Sequence, residues 1–188
     1  MALEDGRSSG TGSDYLVRRL RPDEWPDLRT LRLRALADAP DAFGKTLAEA
    51  ETELDASWQQ QASADDRVVI VAEAGGRLVG MASGGRAPTP KADRDPLPPP
   101  LFDEPAASLS SMWVEPAARR TGVAAAMVAA IVQWALEAEY QVLLLGVTTS
   151  NASAIALYER LGFADTGRRF HLPARSDLEM QLMVRTLA

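Results

Sequence analysis

The chain contains no cysteine, one histidine and two lysines among its 188 residues. Without cysteine, a disulfide, a thiolate metal site and a thiol nucleophile are all excluded. The single histidine, His171, also excludes a histidine-rich metal site. No apolar run is long enough to span a membrane, and the N-terminus lacks the apolar core of a signal peptide. We therefore expect no metal, no membrane partner and a cytoplasmic location.

Basic residues are fewer than acidic ones, 20 against 26. The formal net charge is −6, which disfavours a nucleic-acid partner because phosphate backbones attract basic surfaces. The length suits one domain, and the small polar residues 1–13 predict a mobile tail ahead of a domain over 14–188. Residues 86–107 carry seven of the twelve prolines, which predicts a loop without strand or helix. Whether that loop is an insertion, a surface linker or a cover over a substrate is left open.

A strand, a basic turn and a helix follow one another in the middle of the chain. Residues 109–114 are rich in β-forming types, and Pro116 ends them because proline cannot extend a sheet ladder. After Gly122, apolar residues recur at steps of three and four, which indicates a helix. These apolar positions are Val123, Met127, Ile131, Trp134 and Ala138.

The turn between this strand and this helix is suited to an anion. N–H groups in the first turn of a helix lack partners, and the helix dipole adds positive charge there. Gly122 has no Cβ to obstruct a phosphate oxygen, Ala124 is nearly as small, and two arginines, Arg119 and Arg120, add charge at the rim. A pyrophosphate is a group that such a turn can bind. A plain connection between strand and helix is the alternative, because short glycine motifs recur by chance.

The spacing of the turn distinguishes it from common nucleotide loops. It has one glycine where a dinucleotide fingerprint has three, and the Gly-Lys-Ser/Thr of a triphosphate loop is missing. Arg-x-x-Gly-x-Ala at 119–124 instead resembles the coenzyme A loop of the GCN5-related N-acetyltransferase (GNAT) family. Asn151-Ala-Ser-Ala-Ile-Ala-Leu-Tyr-Glu-Arg-Leu-Gly-Phe163 resembles the second signature of the same family. The two motifs lie in the family's order, and the resemblance covers about residues 15–187.

The remaining patterns agree with a mixed α/β fold. Gly75-Gly76 between two β-rich runs predicts a hairpin, and the continuous apolar run 141–148 predicts a buried strand. Asp23 is expected to cap a first helix, and Leu47–Gln61 to form a second. The resemblance implies a single-domain GNAT fold, with a central, mostly antiparallel twisted sheet of six to seven strands and helices on both faces.

The resemblance also implies a site for acetyl-CoA and an acid for the leaving thiolate. A bulge in the strand would free the N–H groups of Met112 and Val114, and Tyr158 would act as the general acid. Asn151 lies seven positions before Tyr158, so both fall on nearly the same helix face. Read without the family, Asn151 is a helix cap and Tyr158 a tyrosine at the edge of the core. The residues expected to bind the coenzyme are Met112, Trp113, Val114, Arg119, Arg120, Thr121, Gly122, Val123, Ala124 and Asn151.

The general base is left open. Many family members carry a glutamate near the positions that align with Ala106 and Ala107. The alternatives are a water chain ending on backbone or Ser110, or one of five side chains. These are Glu73, Asp103, Glu104, Glu115 and His171. Phe43 and Trp58 lie where the family forms its acceptor wall, although an aromatic residue at a helix end is typical of packing.

We therefore predict an acetyl-CoA-dependent N-acetyltransferase that passes the acetyl group directly to a primary amine. The motifs concern the donor, so a small-molecule and a peptide acceptor both remain open, as does a homodimer. The alternative function is a non-catalytic acyl-CoA-binding regulatory module, which the missing glutamate keeps open. A phosphate-binding scaffold without coenzyme A is disfavoured by the second signature.

Overall fold

A single mixed sheet organises the computed structural model, which describes residues 15–87, 106–172 and 175–187. In these residues the strands are β1 (Leu16–Arg19), β2 (Arg67–Ala74), β3 (Arg77–Arg86), β4 (Ala106–Val114), β5 (Val142–Thr148), β6 (Ala164–Leu172) and β7 (Arg175–Thr186). Their order across the sheet is β1-β2-β3-β4-β5-β7-β6, and every neighbouring pair is antiparallel except β4 and β5. The predicted mixed, mostly antiparallel sheet of six to seven strands is confirmed.

Helices cover both faces of this sheet. They are α1 (Trp25–Asp38), α2 (Leu47–Glu51), α3 (Asp55–Ser63), α4 (Val123–Glu137) and α5 (Ala152–Arg160). Strand β2 is buried on both sides: Ile70 packs in the core under α4, while Val69 and Val71 pack under α1 and α3. This alternation follows from the two-residue period of a strand. None of the described helices is long and apolar enough to cross a membrane.

The hairpin between β2 and β3 forms at the predicted dipeptide. Gly75 and Gly76 both have positive φ angles, 57° and 73°. Two consecutive positive angles are what a tight type I′ turn requires, and its twist matches that of the flanking strands. The turn therefore follows from its local sequence.

The prediction that Asp23 caps the first helix is wrong. Residues Pro22–Glu24 form a short 3-10 turn, and the residue that precedes α1 is Glu24 instead of Asp23. The Glu24 carboxylate accepts from the Arg21 backbone N–H at 2.8 Å and from Arg18 at 2.7 Å. Asp23 remains exposed because this neighbouring acid takes the position closest to the basic side chains.

The single helix expected over Leu47–Gln61 is two helices. Thr46 and Glu49 cap α2 reciprocally, and the chain turns between Glu51 and Asp55 before α3 begins. A continuous helix would place Ala50 and Trp58 about 80° apart around its axis. The turn allows both side chains to be buried against the same core.

The proline-rich segment is shorter than its expected bounds of 86–107. Arg86 belongs to β3 and pairs with Ala107 of β4, whose first residue is Ala106. The ends of the segment are therefore strand, because their backbone groups continue the antiparallel ladder. Most of the segment, residues 88–105, and the expected tail 1–13 lie outside the described residues.

Candidate active site

Strands β4 and β5 separate halfway along their length. They pair in parallel from Ala106 with Val142 to Leu109 with Leu145. Beyond that point β4 continues to Val114, whereas β5 stays paired with β7. The separation opens a gap in the middle of the sheet, where backbone groups of β4 have no neighbouring strand among the described residues.

A β-bulge in β4 lies at the start of this gap. Met81 pairs with Trp113, but Ser83 pairs with Ser110, so β4 has one residue more than β3 between the two pairs. Ser111 absorbs the difference with a left-handed φ of 55°. Bulges bend a strand and end its regular pairing, and this one agrees with the bulge that the family resemblance implied.

The bulge is followed by backbone N–H groups that face the gap. The N–H of Glu115 donates to the Val79 carbonyl of β3 at 2.8 Å. Because N–H directions alternate along a strand, the Trp113 N–H also faces β3, while those of Met112 and Val114 face the gap. The Trp113 side chain is buried under α1. Of the three strand residues expected at the coenzyme, only Met112 and Val114 therefore present N–H donors there.

The turn after β4 leaves its backbone accessible at the start of α4. Gly122 adopts a φ of 92°, and Ala126 is the first residue of α4 whose N–H bonds back into the helix, to the Gly122 carbonyl at 3.0 Å. The preceding N–H groups have no acceptor inside the helix. Arg120 and Gly122 are exposed, whereas the Val123 side chain lies in the core. This backbone fits a diphosphate, with Val123 contributing only its N–H.

Both arginines of the turn were predicted to bind the coenzyme, but their contacts differ. Arg119 donates to the Val114 carbonyl at 2.9 Å and forms an ion pair with Asp38 at the end of α1. Asp38 also accepts from the Trp113 indole at 2.9 Å. Arg120 has no side-chain partner within the described part of the chain. Arg120 can therefore meet a phosphate, while Arg119 holds the turn against α1.

Two residues near the turn were not predicted from the sequence to belong to the site. Asp38 carries a negative charge at the C-terminal end of α1, where the helix dipole disfavours it; that unfavourable position is the signal for a cationic partner. Tyr15 places its hydroxyl 3.1 Å from where a Cβ on Gly122 would lie. The sequence carries no signal for this contact, because Tyr15 lies more than a hundred positions before Gly122.

Asn151 caps α5. Its side-chain oxygen accepts from the Ala154 N–H at 3.2 Å and from the Ser153 hydroxyl at 3.1 Å. The cap that the local sequence predicted is therefore present. The oxygen is occupied by these two donors, so the side-chain amide NH₂ is what Asn151 can offer to a ligand.

Tyr158 lies two turns further along α5, within the core below α4. It is 6% exposed and packs in the same apolar cluster as Val114 and Val123. Its ring meets Phe163 edge-on, with 5.7 Å between the ring centroids. Burial raises the pKa of the Tyr158 hydroxyl above its ordinary value, because a phenolate would lose its solvation there. Tyr158 therefore keeps its proton at neutral pH, as a general acid must.

Comparison with known proteins identifies the family. Residues 23–163 match the family described as "Acetyltransferase (GNAT) family". The chain belongs to the GNAT family. Acetyl-CoA is the cosubstrate of this family, in agreement with the expected donor.

Individual relatives agree with this assignment. Human N-acetyltransferase 8 is 35% identical over 75 residues, which are 40% of this chain and 33% of that protein; the chain thus matches about a third of that relative's length. The ribosomal-protein-alanine N-acetyltransferase of Brucella melitensis is similar in structure, with a TM-score of 0.69, 26% identity and coverage of 92% of this chain and 99% of that one. The structure of yncA from Salmonella typhimurium with its cofactor acetyl-CoA has a TM-score of 0.70, 19% identity and coverage of 94% and 95%.

This GNAT chain engages most of the expected candidate bases in other contacts. Glu115 binds Arg34 and Arg77, each at 2.8 Å; burial alone would raise the pKa of Glu115, but the two arginines outweigh it and lower that pKa. Glu73 bonds Arg18 at 2.9 Å. His171 is exposed, and its Nδ1 lies 3.1 Å from the Leu178 carbonyl. Asp103 and Glu104 lie outside the described residues. The base therefore stays unassigned.

Proposed function

We propose that this chain transfers the acetyl group of acetyl-CoA directly to a primary amine within a ternary complex. The observation that carries the proposal is the gap between β4 and β5, where N–H groups of β4 have no partner strand among the described residues. The protonated Tyr158 belongs to the same apolar core as Val114. The reaction forms a C–N bond to the acetyl carbon and breaks its C–S bond. The amine loses one proton to water or a base, and the departing sulfur gains one.

Charge stabilisation is assigned to the backbone beyond the bulge. The N–H groups of Met112 and Val114 face the space that β5 has left. A donor aimed at the thioester carbonyl stabilises the negative charge that develops on its oxygen. One such donor is typically worth about 3 kcal/mol of activation free energy. Because these donors belong to a bulged strand, they are held in place before the substrate arrives.

Tyr158 is assigned as the proton donor to the departing sulfur. Its raised pKa keeps the phenol protonated, and its ring belongs to the apolar cluster that also contains Val114. Direct transfer also agrees with the lack of cysteine, since the chain has no thiol to carry the acetyl group. The predicted cytoplasmic location and homodimer stay predictions.

Thiol release from acetyl-CoA, measured across a panel of primary amines, tests this function. We expect at least one amine to accelerate release and to appear as its N-acetyl product by mass spectrometry. Binding of acetyl-CoA without release on any amine would favour the alternative, a regulatory module. Absence of acetyl-CoA binding would refute both.

Replacing Tyr158 by Phe tests the acid. We expect kcat to fall about 100-fold, a typical contribution of general acid catalysis, while KM for acetyl-CoA stays within about twofold. The Phe ring keeps the contact with Phe163, so packing is preserved. Tyr140→Phe is the matched control, because its ring packs on Trp134 away from the gap. An unchanged kcat in Tyr158→Phe would remove the acid role.

A further inference from the structure

A small cavity lies on the face of the sheet that α1 and α3 cover. Its volume is about 120 Å³, room for a few water molecules or one small polar group. The helices contribute Arg32 and Trp58 to its wall, and the neighbouring strands contribute Ser83, Ser110 and Ser111. The cavity therefore borders the bulge of β4 on the side opposite α4.

Two hydrogen-bond donors in this wall have no acceptor. Arg32 Nη1 and Trp58 Nε1 are both buried, and neither has a hydrogen-bond partner among the described residues. A buried donor left unpaired costs about 1–3 kcal/mol, and more when it is charged. Both residues line the same cavity, where an acceptor group with two oxygens would lie beside both side chains.

The charge of the cavity favours an anion as that acceptor. The Arg32 guanidinium lies over the Phe43 ring, 4.2 Å from the ring centroid. Burial lowers the pKa of Arg32 to about 10, so it is still cationic at neutral pH. Glu53, which also lines the cavity, is ion-paired with Lys45. Glu53 also raises the pKa of Arg32 through its charge, but the partly buried Arg32 forms no ion pair within the described residues.

The cavity lies next to the reaction site. Ser110 and Ser111 of its wall immediately precede Met112, whose N–H faces the gap. Because an extended chain advances at most about 3.6 Å per residue, Ser110 and Met112 are at most about 7 Å apart along β4. A molecule with an anionic group in the cavity and an amine at the gap therefore needs only a few bonds between them.

We propose that the cavity binds a carboxylate of the acceptor, with Arg32 as its anchor. The acceptor is then a primary amine that carries a carboxylate a few bonds away, either a free amino acid or a peptide with an acidic side chain. This inference rests on the proposed transferase function. It gives an acceptor to the buried Arg32 Nη1, which has none among the described residues.

Paired acceptors that differ only in the carboxylate test the proposal. β-Alanine is compared with β-alaninamide for a free acid, and the amide of the dipeptide glycyl-aspartate with that of glycyl-asparagine for an acidic side chain. We expect the acid of at least one pair to have a kcat/KM at least tenfold above its amide. The pair that shows the preference identifies the source of the carboxylate.

Variants of Arg32 locate the preference. Arg32→Met keeps an unbranched apolar stem that can cover Phe43, and it is expected to reduce the preference to about one. Arg32→Lys keeps the charge and is expected to retain part of it. Arg29→Met, on the same helix but outside the cavity wall, is the control and should keep the full preference. An equal loss in Arg29→Met would contradict a role specific to Arg32.

A binding measurement separates this proposal from the transferase function. The indole N–H signal of Trp58, assigned in NMR spectra with Trp58→Phe, should shift on addition of β-alanine or glycyl-aspartate amide but not with the matched amides. A shift without turnover on any amine of the panel would refute the transferase function and leave the carboxylate site standing. Turnover with equal rates for acids and amides, or no shift with either acid, would overturn the carboxylate site alone.

Discussion

Gly122 is held in a conformation that other residues rarely adopt. Its φ of 92° lies in the left-handed region, and a Cβ there would approach the Tyr15 hydroxyl to 3.1 Å. The conformation turns the chain from the exposed arginines into α4. It thereby leaves the first N–H groups of the helix open to a diphosphate. Gly122 therefore acts through the backbone of the donor site.

Replacing Gly122 by Ala should weaken the coenzyme site. The side chain adds about 1 kcal/mol of backbone strain and displaces either Tyr15 or the turn. We expect KM for acetyl-CoA to rise about tenfold, equivalent to about 1.4 kcal/mol, with thermal unfolding at a lower temperature. Steady-state kinetics and calorimetric titration of acetyl-CoA measure the change.

Gly75→Ala provides the matched comparison. Gly75 also has a positive φ, 57°, but no atom of the described residues lies within 4 Å of its Cβ position. Its substitution should lower stability by a similar amount and leave KM for acetyl-CoA unchanged. If both variants raised KM equally, backbone strain alone would explain the effect, and the contact with Tyr15 would have no role.

Single residues could be predicted where their contacts are local. Asn151 caps α5 through a bond to Ala154, and Gly162 takes the left-handed φ of 83° expected after a helix. Both arrangements depend on fewer than ten neighbouring residues. The role of Asp38 could not be predicted in this way, because its partners Trp113 and Arg119 are 75 and 81 positions away.

Helix α4 and strand β3 approach each other closely, because a glycine lies between them. A Cβ on Gly84 would be 2.8 Å from the Trp134 ring and 3.0 Å from a Val68 methyl carbon. Trp134 is 8% exposed and belongs to the core below α4. The missing side chain therefore lets the bulky ring lie close to the backbone of β3.

Adding a methyl group at Gly84 should force these two elements apart. We expect Gly84→Ala to lower the free energy of unfolding by about 1–3 kcal/mol, the usual cost of overpacking a core. Gly85→Ala is the control, because its nearest neighbour is the Arg67 Cβ at 3.6 Å, an ordinary contact. Urea unfolding of both variants distinguishes the effects; equal stabilities would mean that α4 can shift freely on the sheet.

Helices could be predicted from the sequence where the spacing of apolar residues was periodic and uninterrupted. Helix α4 begins at Val123 as its apolar spacing indicates. The turn between α2 and α3 carries no glycine or proline, so nothing local marks it. Its cause is the burial of Ala50 and Trp58 in one core, which is a tertiary contact. The cavity beside Trp58 was unpredictable for the same reason.

At the scale of the molecule, this acidic chain contains partly buried ion pairs. Arg18 of β1 bridges Glu24, ahead of α1, and Glu73 at the end of β2, with bonds of 2.7 and 2.9 Å. The Glu24 side chain is 10% exposed. This cluster connects the first strand to the helix layer and to the next strand of the sheet.

The cluster should make folding stability fall in acid. The hydrogen bond from Arg18 lowers the pKa of Glu24, more than burial raises it. A carboxyl group whose pKa is lower in the folded state than in the unfolded chain stabilises the fold at pH values above the unfolded pKa, about 4.3. That contribution is lost as the pH falls through the folded pKa. The difference between wild type and a neutral variant should therefore be largest near neutral pH.

Glu24→Gln isolates this contribution, because it removes the charge at nearly constant shape. At pH 7 we expect the free energy of unfolding to drop by about 1–3 kcal/mol, the range for a hydrogen bond to a charged group. The difference should shrink as the pH falls below about 4. Asp23→Asn is the matched control. The Asp23 side chain is 81% exposed and makes a long, exposed ion pair of 3.7 Å with Arg21, so this substitution should change stability little. A Glu24→Gln deficit that stayed constant between pH 7 and about pH 3 would show that packing, and not ionisation, determines the role of Glu24.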